Sequence, residues 1–205
     1  MATRSEGKQR ELLRLLAAGG QAAVFPEDAG IPETVEESAL EAGDSFEINA
    51  RRKAEYFARR TGLPTLADDS GLEVFALGGA PGVRSKRWAG ASGSGAEVDA
   101  ANNAELLRRL LGAPEVRRRA RYRCVLVYMP VAGGVPEIYE GECRGVILES
   151  PRGSGGFGYD PLFLSDDLGK TLAEASAEEK DRVSHRGRAV QALIARLGGG
   201  GGQPV

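Results

Sequence analysis

Between Asp44 and Asp69 the apolar residues change period within a few positions, and that change constrains the fold more than any other stretch of the chain. Phe46, Ala50, Ala54, Phe57 and Ala58 fall on one face of a helix. Asp44 and Ser45 are capping candidates at its start, and Gly62 closes it. Pro64 then precedes a short apolar strand before Asp68. A helix handed directly to a strand predicts an α/β architecture. The rest of the chain alternates in the same way. A helix is expected over residues 7–18, burying Leu12, Leu13, Leu15 and Leu16 and ending at Gly19-Gly20. Residues 73–77 read as a strand, 90–95 as a flexible loop, and 99–111 as a helix. Residues 120–128 and 136–144 read as paired strands with a hairpin at Ala132-Gly133-Gly134, and 146–148 continues the sheet. Ser176 with Glu179 fits a capping box, and a last helix is expected over 186–197 before a disordered Gly-rich tail, 198–205. Arg117, Arg118, Arg119, Arg121 and Arg123, interleaved with Ala120, Tyr122 and Cys124, read as a solvated strand face.

A chain of 205 residues, 41% hydrophobic and 27% charged, describes one ordinary globular domain, here residues 1–197. A net charge of −2 argues against nucleic acid as a partner, because that affinity rests on neutralising phosphates. No apolar run reaches membrane-spanning length, and Met1-Ala2-Thr3-Arg4 lacks the apolar core of a signal peptide, so no membrane partner and a cytoplasmic location are expected. Cys124 and Cys143 lack CxxC spacing and read as reduced core thiols. His185 is the only histidine, which removes most zinc and non-haem iron sites. Any metal should therefore be oxygen-ligated, which points to Mg²⁺, with Mn²⁺ as a substitute.

Three clusters carry candidate chemistry. The first is Leu66-Ala67-Asp68-Asp69-Ser70-Gly71. Adjacent side chains of an extended segment point to opposite faces, so the two carboxylates share a cleft only if the backbone turns, and Gly71 is the residue expected to turn it. Two such carboxylates repel by roughly 1 kcal/mol even at water-like screening, and a divalent cation reverses that sign. The plain alternative is an Asp-rich turn that caps a helix or faces water. The second is Asn49 and Lys53, four residues apart on one helix face, which present an amide and an ammonium to a phosphate; the alternative is a solvated lysine. The third is Ser184-His185-Arg186-Gly187, with Lys180 before it, at a helix N-terminus that would face a carbonyl or phosphate oxygen; alternatively Ser184 caps and His185 packs. Two phosphate-loop matches fail on context. Gly153-Ser154-Gly155-Gly156-Phe157-Gly158 has the GxGxxG spacing but runs into Tyr159-Asp160-Pro161 rather than a helix, and Gly169-Lys170-Thr171 lacks the upstream glycine of a Walker loop.

The chain resembles the inosine triphosphate pyrophosphatase family, house-cleaning enzymes that act on deaminated purine nucleoside triphosphates. The resemblance spans nearly the whole length and is carried by ordered motifs. These are Glu41-Ala42-Gly43-Asp44-Ser45-Phe46 leading to Asn49-Ala50 and Lys53-Ala54, Gly62-Leu63-Pro64, Ala67 to Val74, Leu77 to Val83, Cys124 to Tyr128, Gly155 to Pro161, and Ser184 to Gly187. It implies a long twisted mixed sheet flanked by helices in two lobes with a central cleft. It further implies Mg²⁺-dependent hydrolysis of ITP, dITP, XTP and dXTP to the nucleoside monophosphate and pyrophosphate, keeping them out of DNA and RNA, and a homodimer. Within that pattern Asp69 is the proton acceptor, Glu41 and Asp69 hold the metal with Asp68 in support, and Ser70 contacts substrate. Thr3, Ser5, Gly7, Lys8, Asn49 and Lys53 hold the triphosphate end. Phe157 stacks on the base, Gly158, Tyr159 and Asp160 complete that wall, and Lys180, His185 and Arg186 reach the base edge. The family pattern departs at the N-terminus: Ser5 stands where an asparagine is expected, and Met1-Ala2 leaves almost no first strand. The alternatives are a pyrophosphatase for another modified base and a nucleotide-binding homologue with impaired catalysis.

Overall fold

The computed structural model describes residues 1–198. The expected tail lies, apart from Gly198, outside the described residues. In chain order the elements are α1 (Glu6–Ala18), α2 (Glu37–Leu40), α3 (Phe46–Thr61), β1 (Thr65–Val74), α4 (Gly95–Arg109), β2 (Arg119–Met129), β3 (Glu137–Ile147), β4 (Phe163–Ser165), α5 (Ala177–Val183) and α6 (His185–Gly198). The α/β class is as expected. The described strands form a single sheet of order β1-β2-β3-β4, and β3 and β4 run antiparallel with Gly145 opposite Ser165 and Ile147 opposite Phe163. The four described strands form an antiparallel sheet flanked by helices. No described helix is long and apolar enough to cross a membrane.

Contacts divide the chain into two compact units. Met1–Asp69, Cys124–Gly141 and the chain from Arg186 form the first; Ser70–Arg123 and Glu142–His185 form the second. In the first unit α1 buries Leu12, Leu15 and Leu16 against Leu66, Cys124, Leu126, Ala189, Val190 and Leu193. Leu13, expected inside, is 49% exposed, and the remaining inward position of α1 is taken by Glu11. Helix α3 forms as its stripe predicts. The Ser45 side chain accepts from the Ile48 N–H, and Gly62, in the left-handed conformation at φ 67°, closes the last turn by donating to Ala58 O. Its buried face carries Asn49 and Lys53 together with the alanines and phenylalanines.

In the second unit Leu72, Leu106, Tyr122, Ile147, Phe163 and Leu172 belong to one core. Helix α4 starts at Gly95, earlier than the expected 99, because Ser94 and Glu97 form a reciprocal capping box that draws the Gly-rich segment into the helix. Ser176 and Glu179 make the expected box at α5. The arginine run is not a solvated face throughout. Arg118 is 4% exposed and donates to Leu110 O, Ile147 O and Leu148 O, a fork that satisfies three carbonyls left over at element ends. Arg121 pairs with Glu73 and Glu142, and Arg119 with Asp166. Cys124 and Cys143 are buried thiols outside any disulfide, as expected, and burial pushes the Cys124 thiol up to about 12.

The expected turn at Gly71 is absent. Strand β1 runs ten residues without interruption through Gly71 to Val74, and residues 75–77, expected to be strand, form a 3-10 turn closed by Gly78 at φ 64°. Gly71 is buried in mid-strand and does not bend the chain.

Candidate active site

Because β1 does not turn, Asp68 and Asp69 obey the alternation of an extended strand and take separate sets of partners. The Asp68 side chain is fully buried. Its Oδ2 lies 3.0 Å from the Lys8 ammonium and 3.3 Å from both Nε and Nη2 of Arg186. Nη1 of Arg186 in turn bonds Glu11 of α1. Burial alone would raise the Asp68 pKa, but Lys8, Arg186 and Lys53 outweigh it and hold the carboxyl well below the ordinary range. Asp68 is thus a permanent anion in a four-group network.

Asp69 takes its partners from α3. Its Oδ2 accepts from Asn49 Nδ2 at 2.8 Å, and its Oδ1 lies 4.0 Å from Lys53 Nζ. The Asn49 amide is oriented from its other end by the Gly43 N–H, which donates to Oδ1 at 2.8 Å. Here burial prevails over Lys53 and Lys8, and the Asp69 pKa is raised. The two neighbouring carboxyls are thus pushed in opposite directions by their surroundings.

Lys53 is not a solvated lysine. Its Nζ donates to Glu41 Oε1 at 2.7 Å and to the main-chain oxygen of Asp68 at 2.6 Å, in a buried position. Burial opposes its charge, but Glu41, Asp69 and Asp68 together raise its pKa, and Lys53 lowers that of Glu41. Glu41 and Asp69 therefore turn carboxylate oxygens toward one centre of positive charge. An oxygen-only pair of this kind fits a hard divalent cation that retains waters and takes phosphate oxygens. The Asp68 side chain is directed to Lys8 and Arg186, and among the described residues no group of three or more His, Cys, Asp or Glu gathers in the metal-free structure.

The N-terminal loop is anchored where it enters the sheet. The Ala2 N–H donates to Leu66 O at 2.8 Å, in the place of the short first strand. Thr3 is buried, its Oγ1 accepting from the Ser5 N–H at 3.3 Å and its carbonyl from Gln9 at 3.1 Å. Ser5 precedes α1 without a side-chain cap bond, and Gly7 and Lys8 lie in the first turn. The arrangement leaves early N–H groups of a 13-residue helix beside Lys8, a geometry suited to an anion.

The second unit carries the aromatic cluster. Phe157 is half-buried, with Lys180 Nζ 4.8 Å from its ring centroid, and its N–H donates to Asp160 Oδ2 at 2.9 Å. Lys180 bonds the same carboxylate oxygen. Tyr159 and Asp160 are each 3% exposed. The Tyr159 hydroxyl donates to Ser85 O at 2.9 Å and its N–H to the Tyr122 hydroxyl at 3.2 Å. His185 stacks flat on Tyr122, with centroids 4.7 Å apart and planes 8° from parallel. Gly156 has φ 71°, and a Cβ there would stand 2.1 Å from Asp160 Oδ2. Ser70 is half-buried in β1.

The Arg186 guanidinium is 2% exposed and pairs with Asp68 and Glu11 in the first unit. Sequence reasoning missed three residues. Glu11 had a visible signal, an acid on the apolar face of α1 three positions after Lys8. Asp99 and Asn103, which hold Gly158 from α4, had only their helical spacing.

A match to the Ham1 family covers residues 1–196. The chain is 48% identical over 198 residues to the dITP/XTP pyrophosphatase of Frankia alni, covering 96% of this chain and 95% of that protein. It is 48% identical over 194 residues to a dITP/XTP pyrophosphatase of Thermus thermophilus, covering 95% of this chain and 88% of that protein. Among solved structures, the HAM1 protein from Coxiella burnetii superposes with a TM-score of 0.82 at 36% identity, covering 96% of each chain. The Staphylococcus aureus Ham1 protein gives 0.80 at 35% identity, covering 97% of each.

Proposed function

The chain belongs to the Ham1 family, and from that footing we propose that it hydrolyses deaminated purine nucleoside triphosphates, dITP and XTP among them, to the monophosphate and pyrophosphate. The observation that carries this reading is the divergence of Asp68 and Asp69, one held as a fixed anion and the other kept basic within reach of Asn49 and Lys53. A phosphoanhydride is broken mainly by charge neutralisation and a positioned base, with no need of a covalent nucleophile. Asp69 takes the proton of the attacking water, and Asn49 keeps its carboxylate in one orientation. Lys53 and Lys8, now paired with carboxylates, are the cations for which a triphosphate competes. Mg²⁺ held by Glu41 and Asp69, with Mn²⁺ as a substitute, supplies further neutralisation of the phosphate oxygens.

Base choice belongs to the second unit's cluster. Phe157 offers a stacking face, and Lys180 and His185 are donors of the kind a base edge requires. A donor suits the 6-keto oxygen of hypoxanthine or xanthine and mismatches the 6-amino group of adenine, a discrimination that reaches about 10⁴ in favourable hydrogen-bonded sites. We read residues 1–197 as one functional domain acting as a homodimer in the cytoplasm, with a nucleotide substrate and no nucleic-acid or membrane partner.

The test is pyrophosphate release from ITP, XTP, dITP, ATP and GTP with and without Mg²⁺. We expect release from the first three, dependent on the metal, and little from ATP. Folded protein that releases none from any of them overturns the reading.

A further inference from the structure

Gly158 stands immediately after Phe157, and both polar groups of its backbone are held by one helix. Its N–H donates to Asp99 Oδ2 at 2.7 Å, and its carbonyl accepts from Asn103 Nδ2 at 2.8 Å. Asp99 and Asn103 are one helical turn apart on α4, so they present a carboxylate and an amide side by side. Gly158 itself is at φ 65°, a conformation open to glycine and strained for other residues.

The amide of Asn103 is committed to this contact in an unusual way. Its Nδ2 also donates to Asp99 O, 2.9 Å away within α4, while its Oδ1 is buried with no hydrogen-bond partner. The neighbouring contacts tie α4 to a second loop. Asn102 is 2% exposed and holds the Ala89 N–H and Lys86 O, while Lys86 Nζ pairs with Asp99 Oδ1 at 3.0 Å. The same loop supplies Ser85 O to the Tyr159 hydroxyl. The segment bearing Phe157 is thereby fixed from both sides, by α4 at Gly158 and through Tyr159.

We propose that Asp99 and Asn103 are positioning residues for nucleotide binding: they clamp the Gly158 peptide and set the angle of the Phe157 ring on which the purine stacks. This rests on the stacking role given to Phe157 above. A stacked ring gains only when its face is parallel to the base at van der Waals distance, so a freely rotating Phe157 loses binding without touching the chemistry at Asp69. The clamp accordingly acts on KM and leaves kcat in place.

Steady-state kinetics with ITP on Asn103→Ala, Phe157→Ala and the double variant test this. Alanine favours the helix at position 103, and circular dichroism checks that each variant is folded. Asn103→Ala should raise KM about three- to tenfold with kcat within twofold, the size expected for one lost hydrogen bond. In the Phe157→Ala background the same change should add nothing, because its effect passes through the ring. Asp99→Asn, which keeps an acceptor for the Gly158 N–H, should stay near the wild type, whereas Asp99→Ala should behave as Asn103→Ala. An unchanged KM in Asn103→Ala, or a full effect persisting without Phe157, overturns the clamp alone. An unchanged KM in Phe157→Ala overturns the stacking reading and the clamp with it.

Discussion

Asp68 and Asp69 are chemically identical neighbours, and what separates them is the company each keeps. Asp69 lies above its ordinary pKa because it is buried, so it stays protonated at pH values where a solvated aspartate has already ionised. In the metal-free protein the Asp69 carboxyl should therefore titrate above the usual aspartate position, followed by carbon-13 NMR of its side chain. Asn49 opposes that shift by donating to Asp69. Asn49→Ala should move that titration further up in the metal-free protein, compared with the wild type by the same NMR measurement; a titration that moves down, or not at all, contradicts the assignment. Asp69→Asn should lower kcat by about 10² to 10⁴ while nucleotide binding, followed by calorimetry, largely survives. The carboxylate pair is legible in the sequence, because two adjacent acids after an apolar run are conspicuous. Their division of labour is not, since the partners of Asp68 lie far along the chain: Arg186 is 118 residues away, and Glu11 is 175 residues from Arg186. For the same reason the contact of Arg186 with Asp68 is not visible in the sequence.

At the scale of elements, the patterns that depend on neighbours in sequence are readable and those that depend on burial are not. The stripe of α3, its Ser45 cap and its Gly62 stop follow from local geometry, and so does the capping box of α5. The length of β1 escapes sequence reasoning because glycine licenses both a turn and a crowded strand, and only packing chooses between them. Asn49 and Lys53 share one face as their spacing predicts, but that face is buried, so their ordinary fate as solvated side chains does not apply. The approach to α3 also explains why Gly43 is a glycine. A Cβ there would stand 2.6 Å from Asn49 Oδ1 and 2.7 Å from Ile48 Cγ2, displacing the amide that orients Asp69. Gly43→Ala should lower kcat about tenfold or more with a modest loss of thermal stability, whereas Ser45→Ala should cost about 1 kcal/mol of stability with kcat nearly unchanged. Turnover and urea unfolding on both variants separate a positioning glycine from a helix cap.

Across the whole chain, the Glu11–Arg186–Asp68–Lys8 network joins the first helix, the first strand and the last helix of one compact unit, with Arg186, Glu11 and Asp68 all buried. A buried ion network is weak as a source of net stability but expensive to break, because the group left behind keeps its charge and loses its partner. Asp68→Asn should destabilise the protein by roughly 3 kcal/mol or more at pH 7, read from urea midpoints. The pH dependence identifies the cause. The folded-state pKa of Asp68 is depressed below its unfolded value of 3.8, so its contribution is fully present above that value and is lost as pH falls below it toward the folded pKa. Wild-type stability should therefore decline below about pH 4 more steeply than that of Asp68→Asn, and the two curves should converge as the acid is titrated. Parallel curves would mean that the substitution acts through packing and not through charge. The Glu11→Gln variant should be destabilised as well, since Asp68 alone then balances Arg186, yet Asp69 and its α3 partners are untouched. Retained kcat in the folded fraction of Glu11→Gln would separate the network that holds the unit together from the carboxylate that carries the chemistry.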